Sequence, residues 1–269
     1  MWGKMLIRHD IAPENYLADE ADYPAIFPLS DNGKMKEGVA TLIHKKWAVT
    51  AAHCAVDLYK ADFENHPFTV QIGGKENIVD WVTAPEQVGS IKTIREHSGK
   101  LKQVKVKVRD QSYDIALLKL KNEVEHVSPI PLYQHEDEVG KIILLLGWGD
   151  FGTGEQGLPK FQLVNDGKFR LAQNKITGTN GNYLTFQFDS SDSHKTTPLE
   201  GVNGPGDSGG PALLDTGSEM QLIGISSRGR YKRILRTIFD RQGRYGWQEY
   251  YIRVSKMYSW INQVICENS

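Results

Sequence analysis

Short apolar runs separated by turn residues dominate the chain, and helical periodicity is confined to one end. Runs of this length, rich in β-branched and aromatic residues and bounded by Gly, Asn, Asp and Pro, predict strands at 40–43, 47–50, 68–72, 115–120, 142–146, 183–188, 212–214 and 222–226. The run 142–146 is apolar throughout, which predicts a strand buried on both faces. Over 255–265 the period changes. Met257, Trp260, Ile261 and Val264 fall on one stripe at helical spacing, which predicts a helix packed along that face. The stretch 100–109 alternates Lys with Val and reads as an exposed edge hairpin whose lysines discourage pairing with other chains. Pro129 and Pro131 break any strand within 122–133, so a crossover between two β units is placed there.

Composition narrows the picture. A chain of 269 residues with 39% hydrophobic content and 26 glycines fits a loop-rich globular protein of one large domain or two small ones. No apolar run is long enough to span a bilayer. Residues 1–7 lack the apolar core of a signal peptide, so either the protein is not exported or a signal has been removed. A net charge of −1 implies no general attraction for nucleic acid. No cluster has zinc-ligand spacing, and neither a metal nor a cofactor is expected. Arg228, Arg230, Lys232, Arg233, Arg236, Arg241 and Arg244 crowd one segment with Asp240. They read either as a solvated face or as a surface that steers acidic substrates or a protein partner.

Three segments carry chemistry: Thr50-Ala51-Ala52-His53-Cys54, Asp114-Ile115-Ala116-Leu117-Leu118, and Gly206-Asp207-Ser208-Gly209-Gly210-Pro211. A serine hydroxyl is a weak nucleophile at neutral pH and needs a base within hydrogen-bond reach. Histidine can take the proton and return it to a leaving amine. A buried carboxylate fixes the imidazole tautomer and stabilises the imidazolium. These needs assign Ser208 as nucleophile, His53 as general acid/base and Asp114 as orienter. Taken singly, each segment also has an ordinary reading: a glycine turn, a helix-end histidine, a strand-start aspartate. The chain order separates this set from α/β-hydrolases, where the order is Ser, Asp, His. Here it is His, Asp, Ser.

In that order and with those neighbours, the chain resembles the trypsin/chymotrypsin-like serine endopeptidases. Further matches are 38–43 with 47–50, Gly147-Trp148-Gly149, 222–227, 251–254 and 258–261. The resemblance covers most of the chain outside the N-terminal stretch and two insertions. It implies an all-β fold of two antiparallel Greek-key β-barrels with a C-terminal helix. Residues 1–128 would carry His53 and Asp114, 129–254 would carry Ser208, and 255–269 would form the helix. It implies an oxyanion hole from the N–H groups of Gly206 and Ser208, Gly206 having no Cβ to forbid the required backbone turn. It implies acyl-enzyme hydrolysis of a peptide or protein substrate by a monomer that is secreted or periplasmic, without nucleic acid or membrane as partner.

The specificity pocket departs from the trypsin pattern. Val202 falls at the floor, where trypsin-like enzymes carry an Asp for Lys or Arg. Asn203 follows on the wall, Ser227 ends the strand beside the substrate, and Gly229 keeps the mouth open. Glu249 comes from the opposite side, where it either restores a preference for Lys or Arg or faces solvent.

Activation departs too. In many relatives a newly cut Ile-Val-Gly-Gly-like terminus pairs with the Asp preceding the catalytic Ser, here Asp207, and this chain has no such start. Ile7 or Ile11 could become a terminus, Arg8 could pair with Asp207, or Arg8, His9 and Asp10 are simply solvated. A buried Asp207 requires some partner.

Gly38 stands where the usual disulfide partner of Cys54 lies, and Gly204 where a second bridge begins. Cys54 and Cys266 are then either free thiols or bridged to each other. This cysteine poverty fits a bacterial relative better than an animal digestive enzyme. The segment 73–80 holds only Glu76 and Asp80 where some relatives bind calcium. Two other readings remain: a catalytically silent binding protein on the same scaffold, and a protease held latent until its N-terminal segment is cut.

Overall fold

The computed structural model describes all residues except 1–4, 32–34, 56–67, 89–93, 98–99, 102–109, 159–165, 232–242 and 269. Two antiparallel sheets carry most of it. In the first, the order is Ile26–Asp31, Met35–His44, Trp47–Thr50, Ala116–Leu120, Lys75–Thr83, Ile94–His97, Lys100–Leu101, with Thr69–Ile72 paired to Lys75–Thr83. In the second, the order is Arg170–Lys175, Ile142–Gly147, Pro211–Asp215, Met220–Tyr231, Trp247–Arg253, Tyr183–Gln187, Gly178–Asn180. A small third sheet sets Leu6–Ile7 between Gly152–Thr153, in parallel, and Gly201–Val202, antiparallel.

Each large sheet closes over its own apolar cluster, the first around Phe27, Leu42 and Leu118, the second around Leu145, Phe186 and Ile223. A further cluster joins them. Val39, Trp47, Val49 and Leu117 of the first sheet pack with Leu146, Leu213 and Ile225 of the second. The strand alternation produces this division, because neighbouring residues on one strand serve different clusters. Leu42 and Ala48 face the inner cluster while Ile43 and Trp47 face the shared one. The predicted helix spans Val254–Glu267 and seals the shared cluster with Met257 and Ile261. Its entry is fixed by Arg253, whose Nε and Nη2 donate to the two carboxylate oxygens of the fully buried Glu138 at 3.1 and 2.9 Å; Ser255 Oγ adds a 2.6 Å hydrogen bond to the same carboxylate.

The strand Trp47–Thr50 matches its predicted span. Two readings need correction. Ile142–Gly147 is not buried on both faces throughout: Ile142 is 51% exposed. The strand has the neighbour Arg170–Lys175 along its whole length, but Pro211–Asp215 reaches it only at Leu144 and Leu145, so its first residue has cover on one side alone. The strand expected at 222–226 runs on to Tyr231 past an irregularity between Ser226 and Arg228. Its polar and charged continuation, Ser227-Arg228-Gly229-Arg230, carries no apolar signal and is held by pairing with Trp247–Arg253. Leu6–Ile7 and Lys75–Thr83 also escape an apolar-run reading, the first for its brevity and the second for its interspersed polar residues. Lys100–Leu101 does pair antiparallel at the end of the first sheet. The rest of that segment, and Lys232, Arg233, Arg236, Asp240 and Arg241, lie outside the described residues.

Candidate active site

The register of the first sheet brings His53 and Asp114 together. Thr50 pairs with Ala116, so the chain leaving the end of Trp47–Thr50 and the chain entering Ala116–Leu120 emerge side by side. His53 sits in a helical turn at 52–55, started by the Cys54 N–H donating to Ala51 O at 3.1 Å. Asp114 closes the 3-10 turn Gln111–Tyr113. The ring Nδ1 of His53 lies 2.7 Å from Asp114 Oδ2, and the His53 backbone N–H donates to Oδ1 at 2.9 Å. Ser227 Oγ, from the second sheet, donates to Oδ2 at 2.7 Å.

These contacts set the charges. Burial pushes the Asp114 carboxyl up, but the hydrogen bond and charge of His53 and the hydroxyl of Ser227 outweigh it, and the net direction is down. For His53, burial pulls the imidazole down, while the neighbouring Cys54 sulfur and the Asp114 carboxylate pull it further the other way. The net direction is well above the ordinary value of 6.5.

The Ser208 segment is clamped onto the first sheet. Ser208 O accepts from Val39 N at 2.8 Å, and Gly209, at φ +78°, leaves no room for a Cβ against Thr50, Val39 O and the Ala51 N–H. Gly206 has φ +96°, a backbone that side-chain-bearing residues rarely adopt. Among the described residues nothing accepts from the N–H groups of Gly206 and Ser208. Ser208 makes no hydrogen bond to His53; the Nε2 of that ring faces Cys54 Sγ at 3.7 Å instead. A Cβ on Gly38 would stand 2.7 Å from Cys54 Sγ, which is where a bridging partner would approach. Both cysteines are free. Cys54 is buried in the first sheet's core and Cys266 is exposed on the helix, so the alternative of a bridge between them is not realised.

Asp207 is fully buried and, among the described residues, bound by peptide groups rather than a cation. Its carboxylate accepts from Gly149 N and, at 3.1 Å, from Gly204 N. Burial pushes it up to about 7. The alternative in which Arg8 pairs with Asp207 is overturned. Met5 is fully buried, as are Leu6 and Ile7 in the small third sheet, and the chain turns Arg8 outward to a bidentate pair with Asp10 and to Thr197 O. In the uncut chain Ile7 pairs with Gly201 and Thr153.

The expected pocket residues gather on the second sheet and its flank. Val202 is fully buried and paired with Leu6, and Asn203 is 5% exposed. Gly229 pairs with Glu249 across neighbouring strands. Glu249 is 3% exposed and accepts from Trp247 Nε1 at 2.7 Å; burial pushes its carboxyl up to about 8. Trp247 was missed from the sequence, although its position two residues before Glu249 on a strand would have put both on one face. Beside them the Arg228 guanidinium lies over Tyr183, 4.9 Å from the ring centroid, and donates to Gln111 Oε1; Arg230 lies over Tyr250 at 4.9 Å. Among the described residues no group of three or more His, Cys, Asp or Glu is placed to hold a metal ion.

Two antiparallel sheets joined through a shared core, with a His–Asp pair from one and a glycine-flanked serine from the other, define the chymotrypsin-like fold class. The trypsin family model matches residues 18–261, and the chain belongs to that family. Kallikrein-1 of Mus musculus is 25% identical over 233 residues, covering 84% of this chain and 79% of kallikrein. Snake venom serine proteinase 5 of Crotalus adamanteus is 30% identical over 122 residues, 44% of this chain; the match spans only 41% of the venom protein's length. The solved structure of neuropsin, a serine protease expressed in the limbic system of mouse brain, aligns with a TM-score of 0.61 at 19% identity, covering 93% of this chain and 98% of neuropsin. These relatives come from animals and lend no support to a bacterial source.

Proposed function

We propose that this protein is a serine endopeptidase acting through His53, Asp114 and Ser208. The observation that carries the reading is the grip on Asp114. A buried carboxylate receives hydrogen bonds from the His53 ring, the His53 backbone and Ser227, and so holds Nδ1 protonated and leaves the proton-accepting role to Nε2, which exchanges its 3.7 Å contact with Cys54 Sγ for Ser208 when substrate binds. In the proposed reaction Nε2 takes the Ser208 proton as Oγ bonds to the substrate carbonyl carbon. The N–H groups of Gly206 and Ser208 receive the resulting oxyanion. Collapse expels the amine, protonated by His53, and leaves an acyl-Ser208 ester that water hydrolyses by the same base. The substrate is a peptide or protein, met in the cleft between the unit ending near residue 128 and the unit that follows it.

Glu249 is proposed as the acidic element of the primary pocket, with Val202 and Asn203 as its floor and wall. Its burial beside Gly229 supports this over a solvent-facing role.

Labelling the full chain with a fluorophosphonate and mapping the adduct by mass spectrometry tests the mechanism. The expected result is an adduct on Ser208, absent in Ser208→Ala, together with loss of peptide hydrolysis in that variant. A wild-type chain that stays unlabelled would support the latent or silent scaffold instead. Hydrolysis by Ser208→Ala at the wild-type rate would sink the nucleophile assignment.

A further inference from the structure

Trp247, Glu249 and Tyr251 alternate along one strand and so share a face. The partner strand sets Gly229 opposite Glu249 and Tyr231 opposite Trp247. Gly229 comes two residues after Ser227, whose hydroxyl is bound to Asp114, so this glycine stands next to the candidate triad. The space that a missing side chain at Gly229 leaves is already filled. The nearest atoms to a Cβ built there are Nε1, Cε2 and Cζ2 of Trp247, all in overlap. From that position the indole N–H donates to Glu249 Oε1 at 2.7 Å. Glu249 is 3% exposed, and among the described residues no cation reaches it. The Trp247 backbone is pinned, its N–H donating to Arg244 O at 3.0 Å and its O accepting from Phe188 N at 2.8 Å. The indole therefore moves by rotation of its side chain, without a movement of the strand.

We propose that the Trp247 indole is the lid of the primary specificity pocket, closed over Gly229 and Glu249 and opened by a basic substrate side chain that takes its place on the carboxylate. This rests on the reading of Glu249 as a pocket residue. The exchange has a physical logic. Opening the lid gives up the indole's hydrogen bond to Glu249 together with its other contacts. A guanidinium or ammonium group, as it docks, sends the Glu249 proton to solvent and replaces that bond with a charge-assisted one, whereas a small apolar side chain replaces it with nothing. Trp247 then sets specificity by penalising every side chain that cannot repay its displacement.

The test uses the full chain and benzamidine, an aryl amidinium that enters a pocket without needing turnover. Wild type, Trp247→Ala, Trp247→Phe and Trp247→Ala with Glu249→Gln are titrated by calorimetry, with folding checked by thermal melting. Trp247→Ala is expected to bind benzamidine about tenfold more tightly, the scale of one lost competing hydrogen bond and its packing. Trp247→Phe, which keeps a ring and loses the N–H, is expected between the two and decides the matter should the alanine variant fail to fold. The double variant is expected to lose the gain. Unchanged binding in the folded single variants, or a gain that survives Glu249→Gln, would overturn the lid. Fluorophosphonate labelling of wild-type Ser208 is run alongside. Its failure with the amidinium pattern intact would remove the endopeptidase reading and leave the lid standing.

Discussion

Asp114 is 3% exposed and still held below its ordinary range, because three donors converge on it. That carboxylate in turn helps to keep His53 well above 6.5. The proposed base works only when deprotonated, so activity is expected to rise with pH through the His53 titration. The acid limb of kcat/KM is expected to have its midpoint above 6.5 in the wild type. In Asp114→Asn the midpoint should move down and kcat should fall by about 10⁴-fold; a pH–rate profile of each checks both.

Glu249 poses the opposite electrostatic problem. Its carboxyl rises from 4.5 to about 8, so the folded state binds the proton more tightly than the unfolded chain does. The stability this supplies is complete below pH 4.5 and is lost as pH rises toward 8. Glu249→Gln, a permanent mimic of the neutral acid, should flatten the melting temperature across that window, measured by calorimetry at a series of pH values. Asp207, raised to about 7, adds a slope of the same sign that the variant leaves in place.

At the scale of elements, the strand Met35–His44 and the turn carrying His53 approach closely enough to be stapled. The Cβ position of Gly38 lies 2.7 Å from Cys54 Sγ and 3.2 Å from Cys54 Cβ, near enough for a bridge, and 2.9 Å from Ser208 O, which must give way for it. Gly38→Cys is expected to form a disulfide with Cys54 on oxidation, visible as the loss of two hydrogens in the intact mass. Loop closure supplies about 3 kcal/mol, from which the displacement of the Ser208 carbonyl subtracts, so a net gain below that figure is expected, read by urea denaturation with and without reductant. The bridge would also draw Cys54 Sγ away from His53 Nε2, the atom it faces in the free-thiol state.

At the scale of the molecule, neither sheet holds the site alone. Val39 of the first sheet binds the Ser208 carbonyl, and Ser227 of the second binds Asp114. The shared cluster through Val39, Trp47, Leu146 and Ile225 fixes their docking. Ser227→Ala should therefore lower kcat about tenfold, the worth of one hydrogen bond to a charged group. KM for a small ester substrate should stay near the wild-type value, as steady-state kinetics would reveal. An unchanged kcat would mean that the docking, not this bond, orients Asp114.

Local sequence picked out His53, Asp114 and Ser208 as the candidate triad, along with the glycines around the serine, most strands and the final helix. Those features are written in neighbours a few positions apart: an alternation, a stripe, a glycine where φ must be positive. It left open what surrounds Asp207, where Arg8 goes, which way Glu249 faces and what covers it. Each of those answers depends on chain segments far apart in sequence: Leu6 beside Val202, Gly149 beside Asp207, Trp247 against Gly229. Burial and desolvation arise only when such segments pack. The charge of a buried carboxyl and the residue packed against it therefore follow from how distant segments meet in the folded chain.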